Sequence, residues 1–206
     1  MCLTVDKNIQ IHFKAPESHI RNHAYYLWEN AGQPPDKCFW EQAESECRYI
    51  LGYKIVEKVL NRLRSPFFIF WKWQEGWNES DYGDSMKSYL EDIILNGFHV
   101  FLDPWVAHQI ANNWDTSLVA IPPYEKHHLA KLYPTELAAI VKPLEVIVVH
   151  CYENDFLGAG NTFWTKDVPD IPENVISAVF RKVFVPKSEI ERIFPGTVDN
   201  AKEKSK

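Results

Sequence analysis

Apolar residues recur at helical spacing in the first part of the chain and at strand spacing further on. Ile20, Ala24, Leu27, Trp28 and Ala31 form one three- and four-residue stripe, and Gly32 followed by Pro34 and Pro35 stops it. Asp36 is placed to cap a second helix. Its stripe runs through Trp40, Ala43, Cys47, Ile50 and Leu51, then through Ile55, Val59, Leu60 and Leu63, to a stop at Ser65-Pro66. The short Pro-containing break predicts antiparallel neighbours with Trp28 and Trp40 near the closed end. Ahead of them Asn8–Phe13 alternates, which predicts a short edge strand ended by Pro16.

After Pro66 the pattern changes. Phe67–Trp73 is dense in strand-favouring aromatics and Gly76–Gly83 reads as a polar loop. Met86, Tyr89, Leu90, Ile93 and Ile94 make a third helical face, with Asp84 as cap and Asn96-Gly97 as stop. Phe98–Leu102 predicts a strand, and Asp103-Pro104 supplies a cap and a first-turn proline for a helix bearing Trp105, Val106, Ile110 and Trp114. Ser117–Ile121 reads as a short strand and Thr135–Lys142 as a short helix. Leu144–His150, bulky and β-branched, is the clearest strand and belongs inside a sheet. A last unit joins a strand at Val179–Val185 to a helix at Ser188–Phe194, where Ser188 and Glu191 have capping-box spacing. The expected fold is α+β: an N-terminal helical hairpin packed on or attached to a mixed sheet with flanking helices. The expected division is a hairpin module over residues 1–65 with a possible short leading strand, an α+β domain over 66–196, and a disordered tail over 197–206.

Within Ile20–Glu44 the run Leu27-Trp28-Glu29 is followed by Gly32-Gln33-Pro34 and then by Trp40 shortly before Ala43-Glu44. This signature resembles a small helical domain of bacterial proteins catalogued among the domains of unknown function. The resemblance implies a module and carries no functional residue across.

A chain of 206 residues that is 46% hydrophobic can bury a real core, which excludes a disordered protein. The formal charge of -6 disfavours contact with phosphate backbones. The densest basic run, Lys54, Lys58, Arg62 and Arg64, reads as the solvated face of the long second helix, with Glu57 among it. Cys2, Cys38, Cys47 and Cys151 lack paired ligand spacing, and there is neither a leader nor a transmembrane segment, so a reducing cytoplasm is the expected location.

Candidate chemistry gathers at the end of the strongest strand, where Cys151, Tyr152, Glu153, Asn154 and Asp155 precede Gly158-Ala159-Gly160 in an expected loop. Glu153 and Asp155 with His127 or His128 supply acid–base groups, and Cys151 would be a nucleophile if a distant imidazole reached it. His150, its neighbour, should point to the opposite sheet face. Those glycines match no phosphate-binding pattern, and His19 and His23, at i,i+4 spacing, lack a third ligand, so no cofactor and no metal is expected. Trp71, Trp73 and Trp77 in the aromatic stretch are candidate partner-binding residues, or line a small-molecule pocket. The preferred reading is a cytoplasmic bacterial accessory or protein-interaction protein, with a protein partner or homo-oligomer. The alternatives are a hydrolase or transferase using Glu153, Asp155, His128 and Cys151, and a nucleic-acid-associated regulator working through the Lys54–Arg64 run.

Overall fold

The computed structural model describes residues 3–34, 37–59, 62–65, 72–80, 93–94, 97–112, 144–161 and 175–195. Its centre is strand β8, Glu145–Tyr152, paired along eight residues with β2, Tyr49–Val59. Alternation sends Ile147, Val149 and Cys151 to one face, where all three are fully buried, and Val148, His150 and Tyr152 to the other. The remaining strands in chain order are β1 (Leu3–Val5), β3 (Arg62–Arg64), β4 (Lys72–Trp73), β5 (Gly76–Glu79), β6 (Ile93–Ile94), β7 (Phe98–Phe101), β9 (Phe156–Asn161), β10 (Ile176–Phe180) and β11 (Lys182–Val185). Four helices accompany them among the described residues: α1 (Glu17–Asn30), α2 (Trp40–Glu46), α3 (Pro104–Asn112) and α4 (Lys187–Ile193). Every described strand pairing is antiparallel, so the fold is α+β.

The strand order is β5-β11-β8-β2-β7-β10-β9-β1-β6. In it β10 and β11 stand four places apart, about 19 Å across a flat sheet, yet only Arg181 separates them in the chain. A single residue spans about 3.5 Å, so the sheet must roll until its path closes on itself. The short turn Glu153–Asp155 between β8 and β9 makes the same demand, and Arg181 N–H donates to the Asp155 carbonyl at 2.7 Å, tying the two bends together. Val56, Val100, Ile147, Val149, Ala178 and Phe180 fill the interior, with Ile193 and Phe194 at the end of α4 packing against them. Outside, α3 covers Ile55, Phe101 and Val146, while α1 and α2 enclose Ala15, Ile20, Ala43 and Tyr49.

Several local expectations hold. α1 ends where Gly32 turns with φ of 81°, and Asp103 Oδ1 accepts from Trp105 N–H at 2.8 Å, opening α3. Others are corrected. The second helix stops at Glu46, and the residues from Tyr49 to Val59 are the long strand β2. Gly52, awkward in a helix and ordinary in a tightly packed strand, lets β2 approach β8 and β7: a Cβ there would stand 2.8 Å from Cys151 Sγ and 2.9 Å from Val100. Asn8–Phe13 forms no strand, although Ile9, Ile11 and Phe13 do alternate onto the core. Gly76–Glu79 is a strand rather than a loop, Ile93–Ile94 pairs with β1 instead of closing a helix, and Gly158–Gly160 lies within β9. α4 starts after Pro186, which has no capping side chain, so Ser188 lies inside the helix and Glu191 pairs with Lys187 at 3.2 Å instead of closing a capping box. The expected elements at Ser117–Ile121 and Thr135–Lys142, and the tail after Gly196, fall outside the described residues.

Gly97, between β6 and β7, has φ of 118°, and a Cβ there would meet the Phe180 carbonyl oxygen at 2.9 Å and Val179 Cγ1 at 2.6 Å. Gly97→Ala is therefore expected to cost about 1–3 kcal/mol, read as a lower urea midpoint at unchanged slope. An unchanged midpoint would show that this backbone can relax.

Candidate functional site

Where α1 and α2 meet the sheet, rings from five elements touch. The β2–β8 register sets Tyr49 opposite Tyr152 and Leu51 opposite His150. The His150 ring stacks on Tyr49 at 4.4 Å and 15°, and Tyr152 lies 5.0 Å from the same phenol ring. From α1, His19 Nδ1 shares a 2.6 Å hydrogen bond with the Tyr49 hydroxyl, and its ring stands 5.4 Å from His150. On the other side, Trp77 of β5 packs on Tyr152 at 5.1 Å and on Phe184 of β11 at 5.5 Å. Burial, with a smaller push from His19, lowers the His150 pKa to about 4, and burial raises that of the Tyr49 phenol. At neutral pH this is therefore an uncharged imidazole and an un-ionised phenol. It is an adhesive junction, and His150 is too weak a base for general base catalysis near neutrality.

The helix pair has its own fastenings. His23 Nε2 meets Glu46 Oε2 at 2.6 Å, Lys14 meets Glu44 at 2.7 Å, and Trp28 Nε1 donates to the Pro34 carbonyl at 3.1 Å. His19 and His23 are thus each engaged by a different partner. Among the described residues no three His, Cys, Asp or Glu side chains gather as a metal site would need. An open groove of about 540 Å³ lies between the segment Ile9–His12 and the start of α3, lined mainly by Ile9, Ile11, Ile50, Leu51, Leu102 and Val106, with Asp103 at its edge.

Of the residues expected to carry acid–base chemistry, the described ones, Cys151, Glu153 and Asp155, form no joint cluster. Cys151 points into the rolled sheet, fully buried, and burial pushes its thiol up, which opposes thiolate formation. Glu153 is held by Arg48 at 2.7 Å. Asp155 sits in the turn after β8, where burial raises its carboxyl while Lys182 and Arg181 draw it down. His127 and His128 lie outside the described residues. Of the tryptophans, Trp71 is also outside them, Trp73 is 5% exposed in the core, and Trp77 is 49% exposed. Trp73 has no surface to offer a partner, because β4 pairs with β3 and sets its ring against Phe98 at 5.0 Å.

The basic run is not a solvated helical face either. Lys54 points into the core, donates to the His99 carbonyl at 2.6 Å, and is pushed by burial down to about 7. Arg64 is buried against Glu57, and Lys58 donates to the Ile193 carbonyl at 2.8 Å. With Lys54 and Arg64 buried, this run does not form the single unscreened positive face that the nucleic-acid reading asks of it.

Sequence reasoning passed over Tyr49, Tyr25 and Tyr26. Tyr49 was hidden by the helical assignment of its segment. Tyr25 and Tyr26 had a readable signal: they fall off the Ile20–Ala31 stripe, so that two large rings sit on the polar side of α1, each 57% exposed.

Residues 16–48 match the model of a family described as a protein of unknown function, DUF2934. No curated protein and no solved structure matches the chain. The matched span holds α1 and α2 and ends immediately before β2, so it coincides with the unit that docks through His19 on Tyr49.

Proposed function

We propose that this chain is an accessory protein of the bacterial cytoplasm that works by contact with other proteins, through the outer face of its helix pair and through Trp77. The observation that carries the reading is the exposure of Tyr25, Tyr26 and Trp77, large rings at the surface, whereas Cys151 and Trp73 are buried and Glu153 is ion-paired. Free Cys38, Cys47 and Cys151 fit a reducing compartment, and among the described residues no helix is long and apolar enough to cross a membrane.

A photoreactive phenylalanine analogue placed at Tyr26 or at Trp77 tests this in cells. We expect a discrete protein adduct, either with a second copy or with a different chain, that is absent when the analogue replaces exposed Lys187 on α4. Adducts of the same size and yield from all three positions would refute a specific contact surface.

A further inference from the structure

The outer face of α1 presents Arg21, Asn22, Tyr25, Tyr26, Glu29 and Asn30 to solvent. Its two tyrosine rings are braced: Tyr26 stacks on His23 at 6.3 Å and 17°, and Tyr25 leans on Trp28 at 5.6 Å. The charge of the two helices is one-sided. Within α1 and α2, Glu17, Glu29, Glu41, Glu44 and Glu46 stand against Arg21 alone. Glu17 is paired with Arg21, Glu44 with Lys14 and Glu46 with His23, whereas Glu29 and Glu41 have no cationic partner among the described residues.

We infer that this face docks a basic, arginine-bearing segment of a partner protein. The inference rests on the protein-contact reading above and names the partner's chemistry. A guanidinium is planar, stacks on an aromatic face and forks onto a carboxylate, so Tyr25 and Tyr26 beside Glu29 offer both halves of its recognition. An amphipathic partner helix fits poorly, because Asn22, Glu29 and Asn30 interrupt the apolar surface at the spacing such a helix would read. A second copy using the same face would add another Glu29 and no unpaired cation, because Arg21 is already held by Glu17 at 2.7 Å.

The test uses the whole chain and four short labelled peptides, in which Ala alternates with Arg, Lys, Glu or Leu, followed by fluorescence anisotropy at low and physiological salt. The Arg peptide is expected to bind, the Lys peptide several-fold more weakly, and the Glu and Leu peptides not at all. The double variant Tyr25→Ser/Tyr26→Ser, at exposed positions that leave the fold intact by circular dichroism, should weaken the Arg peptide about tenfold, and Glu29→Gln several-fold. Equal binding of the Arg peptide to the tyrosine double variant would overturn the inference, since attraction to the net charge alone would then explain it. So would tighter binding of the Leu peptide. If the Arg peptide fails while the analogue at Tyr26 still yields its specific adduct, the basic partner is wrong and the contact surface stands. If both fail, the surface itself is wrong.

Discussion

Arg64→Met is expected to lower the unfolding free energy by about 3–5 kcal/mol, because it takes from a buried carboxylate the guanidinium that neutralises it. The Glu57 side chain is 1% exposed, and the Arg64 Nε and Nη2 groups donate to its Oε2 at 2.9 and 2.7 Å. The two residues face each other across the β2–β3 pair, so the ion pair also closes the end of that hairpin. Replacing both partners by apolar residues of similar volume, Glu57→Leu with Arg64→Met, should recover most of the loss, since the burial of charge is removed with the attraction. Urea unfolding of the two singles and the double gives the coupling directly. A single variant within about 1 kcal/mol of the parent would mean that water or another group already satisfies Glu57.

Acidification from about pH 7 to about pH 4 is expected to remove a similar amount of stability through two histidines. Burial holds His150 at about 4 and His99 at about 3, both below the usual imidazole value, and neither ring nitrogen of His99 has a hydrogen-bond partner. A depressed histidine binds its proton more readily in the unfolded chain. Its contribution is therefore complete above the unfolded value near 6.5 and is lost as the pH falls from there through the folded value. With a discount for the part of His150 that water still screens, we expect about 2 kcal/mol from each residue. His150→Phe keeps the stack on Tyr49 while removing the titration, and His99→Leu also removes two unsatisfied nitrogens. Each should flatten the acid limb of stability against pH. An acid limb of parent steepness in both variants would assign the loss to carboxylates such as Glu46, which Gln42 and His23 hold below the ordinary value.

Much of the fold was legible wherever a local device determined it. Gly32 and Pro34 ended α1, Asp103 capped α3, and the β-branched run of β8 could only be an interior strand. In Ile9, Ile11 and Phe13 the alternation predicts a strand; the three side chains do pack on the core, but among the described residues no strand pairs with them. The errors came where two periods fitted the same residues. Cys47, Ile50, Leu51, Ile55 and Val59 satisfy helical spacing, yet the strand that claims this segment is β8, far away in the chain, and the pairing it offers outweighs a weak local preference.

The candidate site follows the same division. That Tyr25 and Tyr26 are surface rings follows from their places on the α1 wheel, a matter of sequence alone. That His19, Tyr49, His150 and Trp77 form one junction depends on a strand register and on the docking of a helix, and no spacing along the chain encodes either. The sequence by itself determined which segments could bury a face, and its punctuation marked where many of them end. The rolling of the sheet decided which polar groups that burial would trap, Lys54, Glu57, Arg64 and His99 among them, because a side chain's solvent is set by what lies across from it.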